Sequence, residues 1–168
     1  MNNNLNQSPC LVAAYAQGTC NGGQFTVNPL APDTHYTGPD VAMANPCQCS
    51  TVVYSLMSAC AVCQNRNIET WSTWDVNCSQ VYLMQFPNQV PSATSIPAWA
   101  YLDVVTNDTF SAAVAQADVC ELYSYPRGTS TFIHLQRHQR HPHPPLMPLN
   151  PPAPCSTLQP PRPLYLVA

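Results

Sequence analysis

Four thiols stand within 17 residues, as Cys47-x-Cys49 and Cys60-x-x-Cys63. Two such pairs supply the ligand count of a tetrahedral zinc site. The same sulfurs could instead be oxidised. The segment between the pairs is apolar and helical in pattern, and Cys10, Cys20, Cys78 and Cys120 flank it. That density favours disulfides over zinc. Cys60-x-x-Cys63 also has the spacing of a thioredoxin-type redox pair. Such a pair needs its first cysteine at a helix N-terminus, where the dipole favours thiolate. Here it falls at the C-terminal end of a helix, so Cys60 and Cys63 are expected to staple one helix to two different neighbours. All eight cysteines through Cys120 are disulfide candidates. Their connectivity is not readable from spacing.

Other reactive constellations are thin. His35 is the one histidine before residue 134, so any Ser/His/Asp or Cys/His nucleophile system would have to use it. It sits in a loop, Asp33-Thr34-His35-Tyr36, and no nucleophile elbow occurs. Glu69 and Asp75 could form the carboxylate pair of a glycosidase, but among eight acids some such pair is unavoidable. Trp71, Trp74, Trp99 and Tyr101 could stack sugars; as core residues they would supply apolar area to a small domain. The sequence assigns no catalytic residue, no cofactor and no metal ligand.

All eight acids lie before residue 122, against Arg66 as the one base there, so the first 121 residues carry a formal charge of −7. Such a surface repels nucleic acid and anionic lipid. Sequons occur at Asn6, Asn77 and Asn107. Pro9 disfavours the first, and a paired Cys78 would hinder the second. Asn107 is the leading glycosylation candidate, with Asn77 behind it. The cysteines indicate an extracellular or cell-surface location, yet the N-terminus shows no basic and apolar leader. The start is therefore expected to be incomplete. No apolar run reaches the ~18 residues of a membrane span.

Three regions follow from composition. Residues 1–9 are a polar lead. Residues 10–120 are a cysteine-rich ectodomain. Residues 121–168 are a Pro/His/Arg-rich tail expected to be disordered, since residues 126–168 hold 11 of 19 prolines and no acid. His134, His138, His141 and His143 look like a metal-binding tract. However, from His134 to Leu164, 25 of 31 residues are Leu, Pro, His, Gln or Arg, the set encoded by codons that begin with C. A Ser/Thr-rich stalk read one base late would give that composition, and the tail is expected to be such an out-of-frame stalk.

The ectodomain is expected to be mainly α: a small disulfide-rich helical domain with long proline-punctuated loops. A first helix begins at Ser8-Pro9 and stops at Gly18, with Leu11, Val12, Ala14 and Tyr15 on its apolar stripe. A second spans 50–64, capped by Ser50, with Val52, Val53, Leu56, Met57, Cys60 and Cys63 at three-to-four spacing. A third is expected near 70–83, with Trp71, Trp74 and Cys78 on one face. Short helical turns are expected at Ala98–Leu102 and Phe110–Gln116, and a short strand at Gln24–Val27. Residues 28–46 and 86–97 read as loops.

Several stretches carry a resemblance. They are Pro9-Cys-Leu-Val-Ala-Ala-Tyr15, Cys20-Asn-Gly-Gly-Gln-Phe25, His35-Tyr-Thr-Gly-Pro39, Cys47-Gln-Cys-Ser-Thr-Val-Val-Tyr-Ser-Leu56, Trp71-Ser-Thr-Trp74 and Ile96-Pro-Ala-Trp-Ala-Tyr-Leu-Asp103. Together, over residues 6–117, they resemble a family of uncharacterised basidiomycete fungal surface proteins. The resemblance implies a signal peptide, this ectodomain, a Ser/Thr-rich stalk and one transmembrane helix. It brings no established activity. A second resemblance, through Cys49, Cys60, Cys63 and Cys78, is to the eight-cysteine haem-binding module of fungal extracellular membrane proteins. That module has more cysteines in its early part than this chain does. The functional expectation is a non-enzymatic module for recognition or cell-wall contact, its partner a wall polysaccharide or another surface protein. The alternative is a carrier of haem or metal.

Overall fold

The computed structural model describes the backbone of residues 1–124 and the side chains of residues 1–118. The expected out-of-frame tail and its histidine tract lie outside the described residues, apart from the helical backbone of 121–124. Helix α1 spans Pro9–Gly18, α2 Thr51–Cys63, α3 Trp71–Trp74 and α4 Ala112–Ser124; a 3₁₀ turn spans Ala98–Tyr101. No strand forms among the described residues, and one isolated parallel bridge joins Ser50 to Tyr82. The fold is a small, mainly helical, disulfide-rich domain. Gln24–Val27 forms no strand.

Helix α2 is the axle. Ser50 caps it by accepting the Val53 N–H on its hydroxyl. Every residue from Thr51 to Ala61 is buried, so the helix is enclosed all round rather than along the expected stripe. α1, α3 and the 3₁₀ turn pack on it from different sides, and α4 packs on the 3₁₀ turn. At its centre Tyr54 is fully buried. Its ring meets Trp71 and Trp74 edge-on at 5.5 and 5.7 Å. Its hydroxyl donates to the Glu69 carbonyl at 2.7 Å and accepts from the Phe110 N–H at 3.3 Å. A buried phenol must find such partners.

Helix α1 begins as expected, with Ser8 as cap and Pro9 in the first turn. Its buried face differs. Val12, Ala13, Ala16 and Gln17 are buried, while Leu11, Ala14 and Tyr15 are only half-buried. The Cys10–Cys60 disulfide ties α1 to α2. The small side chains of Ala13 and Ala16 are among those that face inward, consistent with close packing of α1 on α2. Gly18 ends the helix without a left-handed backbone. The reversal falls to Gly22 and Gly23, at φ +64° and +84°.

The third helix is much shorter than expected. α3 ends at Trp74, where the Asp75 N–H closes on Trp71. A helix over 70–83 would carry the chain ~20 Å onward. Instead Cys78 is bonded to Cys49. Tyr82 exchanges hydrogen bonds with Cys49 and Thr51, which returns the chain to the start of α2. The helical turn expected at Phe110–Gln116 is the beginning of α4, whose backbone passes residue 120 to reach Ser124.

Candidate functional site

The cysteine cluster resolves into Cys10–Cys60, Cys20–Cys47 and Cys49–Cys78. Cys63 is disulfide-bonded as well. The Cys120 side chain lies outside the described residues. The candidate zinc quartet is thus drawn to different parts of the chain, and a disulfide sulfur carries no thiolate charge to offer a metal. Cys60 pairs with Cys10 rather than Cys63, which removes the redox-pair geometry. No group of three or more potential ligands assembles among the described residues. Spacing alone left this open because local spacing permits both outcomes; the approach of α1 to α2 decides it.

His35 and Glu69 are brought together. The imidazole Nε2 lies 3.7 Å from Glu69 Oε2, with the His35 side chain 43% exposed and that of Glu69 9%. The other carboxylate oxygen accepts the Gly38 N–H at 2.6 Å. The Tyr36 hydroxyl donates to the Asn28 carbonyl at 2.7 Å and accepts from Gln64 Nε2 at 2.9 Å. Gln64 Oε1 receives the Leu30 N–H, and Arg66 Nε donates to the Leu30 carbonyl. Residues just past α2 therefore strap the 28–38 loop down. Glu69 serves this strap. Sequence reading missed the clasp because its partners are some 30 residues apart.

The acidic neighbour of Asp75 is Asp108. Burial, with the Asp108 charge added, raises the Asp75 carboxyl above the ordinary carboxylate range. Asp108 itself is held low by the Ser72 hydroxyl and N–H, both 2.7 Å from its oxygens. A raised folded-state value means the native state prefers protonated Asp75, so its ionisation opposes folding at neutral pH. That penalty fades as pH falls through the folded value and is gone below the unfolded one. Asp75→Asn is thus expected to melt slightly higher than the native chain near neutral pH, by no more than about 0.5 kcal/mol given its exposure. The two melting curves should converge below about pH 3. A gap that persists there would place the effect elsewhere than in ionisation.

Trp71, Trp74 and Trp99 are 4%, 3% and 1% exposed. They are core, unavailable as a sugar platform, and Tyr101 is half-buried beside them. Trp74 Nε1 donates to the Gln48 carbonyl at 2.8 Å. Asn107 is exposed in a turn. Asn77 is exposed, but its amide donates to the Pro39 carbonyl and its neighbour Cys78 is paired. The depression beside Tyr36, Tyr54, Met57 and Glu69 opens to solvent and is too tight to admit a water molecule. Small-ligand pockets run to about 300–1,000 Å³.

No helix among the described residues is long and apolar enough to cross a membrane. The disulfides fit an oxidising, extracellular setting. No protein-family model matches the chain, and neither a curated protein nor a solved structure shows significant similarity to it.

Proposed function

We propose that this is a non-enzymatic extracellular or cell-surface module that acts by recognition or cell-wall contact, glycosylated at Asn107. The observation that carries the reading is the combination of a helix buried all round with disulfides that fasten α1 to it, and the turns after α1 and α3 to the residues just before it. Such a body is rigid, and it offers its outer surface rather than an interior. The depression beside Tyr54 has no interior of the size a haem-like ligand needs. The resemblance to basidiomycete surface proteins agrees with this reading, as does the net negative, nearly lysine- and arginine-free ectodomain.

The test is retention of the oxidised chain on fungal wall polysaccharide, alongside a glycan array and a visible spectrum after incubation with haem. The expected result is retention with no Soret shift. A stoichiometric haem spectrum without retention would replace the reading with a ligand carrier.

A further inference from the structure

We propose that the end of the module around Cys49–Cys78 is a docking face for an extended, positively charged, apolar polypeptide, which pairs with the backbone at Val81. Three segments meet there. Asn77 donates to the Pro39 carbonyl, so the 39–43 loop lies against the turn after α3. The Cys49–Cys78 disulfide fastens that turn to the start of α2. Tyr82 gives its N–H to Cys49 and takes the Thr51 N–H on its carbonyl.

These segments carry six of the ten exposed large apolar side chains of the described residues. Val41 is 78% exposed, Met43 53%, Val76 73%, Val81 37%, Leu83 45% and Met84 53%. Scattered exposed apolar residues are ordinary; a concentration on neighbouring segments is a mark of an interaction surface. The backbone adds direction. Tyr82 spends its backbone N–H and C=O on Cys49 and Thr51, and among the described residues no hydrogen bond engages the N–H or C=O of Val81 or Leu83. Val81 leads into Tyr82 before the chain turns at Leu83 and Met84; successive residues turn these groups to opposite sides, so an added strand finds those of Val81 unpaired.

Charge selects the occupant. The groups charged at neutral pH on these segments are acidic, Asp40 and Asp75, and no lysine or arginine occurs between residues 67 and 126. A second copy would bring like charges together, and an anionic lipid surface would be repelled. A cationic segment with apolar side chains matches both properties.

The inference rests on reading the module as a binder and names its partner class. The test uses the full oxidised chain and labelled peptides of about ten residues that alternate Val with Arg or Val with Glu, plus one that alternates Ser with Arg. The Val/Arg peptide is expected to bind, more weakly as salt rises, and the other two are not. N-methylation of every second residue should abolish its binding. Val76→Arg and Leu83→Arg are expected to weaken it about tenfold with unchanged melting, whereas Val114→Arg, an exposed position on α4, should not. Equal binding of the Val/Glu or N-methylated peptide, equal loss in Val114→Arg, or dimerisation with no peptide bound would each overturn the proposal. Retention on polysaccharide without peptide binding would overturn this inference alone. Peptide binding without retention would leave it standing and remove wall contact.

Discussion

Reductant is expected to unfold the module, and chelator to leave it folded. The disulfides close loops with sequence separations of 50, 27 and 29 residues. In the chain-entropy account each such closure stabilises by about 3.5–4 kcal/mol, with less than full additivity because the loops overlap. A domain of this size has total stability of only about 5–15 kcal/mol. Loss of all three, about 10–12 kcal/mol before that discount, therefore removes most of the stability such a domain has. The sharpest single case is Cys10–Cys60, since it holds α1 to the axle helix. The paired variant Cys10→Ala with Cys60→Ala should lose about 2–5 kcal/mol and melt before the native chain. Circular dichroism with reductant or chelator reads the outcome directly. Seven cysteines among the described residues are disulfide-bonded and disulfides take sulfurs in pairs, so at least eight of the nine are consumed and titration of the oxidised chain should find no more than one reactive thiol. Unfolding by chelator with resistance to reductant would move the protein into the zinc-module class.

Gly38→Ala should be nearly as damaging, although it adds one methyl group in a loop. A Cβ at this position would stand 1.9 Å from the Trp74 carbonyl oxygen and under 3 Å from two more Trp74 backbone atoms. These are backbone atoms of α3, whose tryptophan is anchored in the core, so no flexible side chain can yield. The loop must lift instead. Lifting also breaks the 2.6 Å bond from the Gly38 N–H to Glu69, a charge-assisted contact. Overpacking and the lost bond together are expected to cost about 2–4 kcal/mol, or roughly 10 °C or more in Tm for a domain of this size. Gly22→Ala is the control. It meets nothing within 4 Å and bears only the strain of φ +64°, about 1 kcal/mol. If the two variants melt alike, the Gly38 contact is not what holds the loop.

Much of the local structure was legible in the chain. Ser8-Pro9 and Ser50 mark helix starts because a hydroxyl ahead of an apolar run satisfies the first orphan N–H groups. Both caps are in place. The proline-rich stretches become loops for the reason that made them readable: no donor and a fixed φ. The apolar periodicity of α2 announced a helix. It could not announce that every side would be covered, because the covering elements arrive from residues 10, 71 and 99.

The third helix shows where local reading stops. Residues 70–83 have a tolerable helical pattern, and an isolated segment has no reason to break at Trp74. The break comes from Cys78 reaching Cys49 and from Tyr82 bonding beside α2, two constraints that exist only once the chain has collapsed. The same holds for the inward face of α1, set by its tether to Cys60, and for the strap of Gln64, Arg66 and Glu69 over the 28–38 loop. Composition by itself determined an oxidised, acidic, mainly helical module, because cysteine count, charge and periodicity are sums over the chain or its near neighbours. Which sulfurs pair, which tryptophans vanish into the core and which apolar residues stay outside were decided by the tertiary structure alone. Each of these depends on contacts between residues tens of positions apart, and spacing in the sequence carries no information about such contacts.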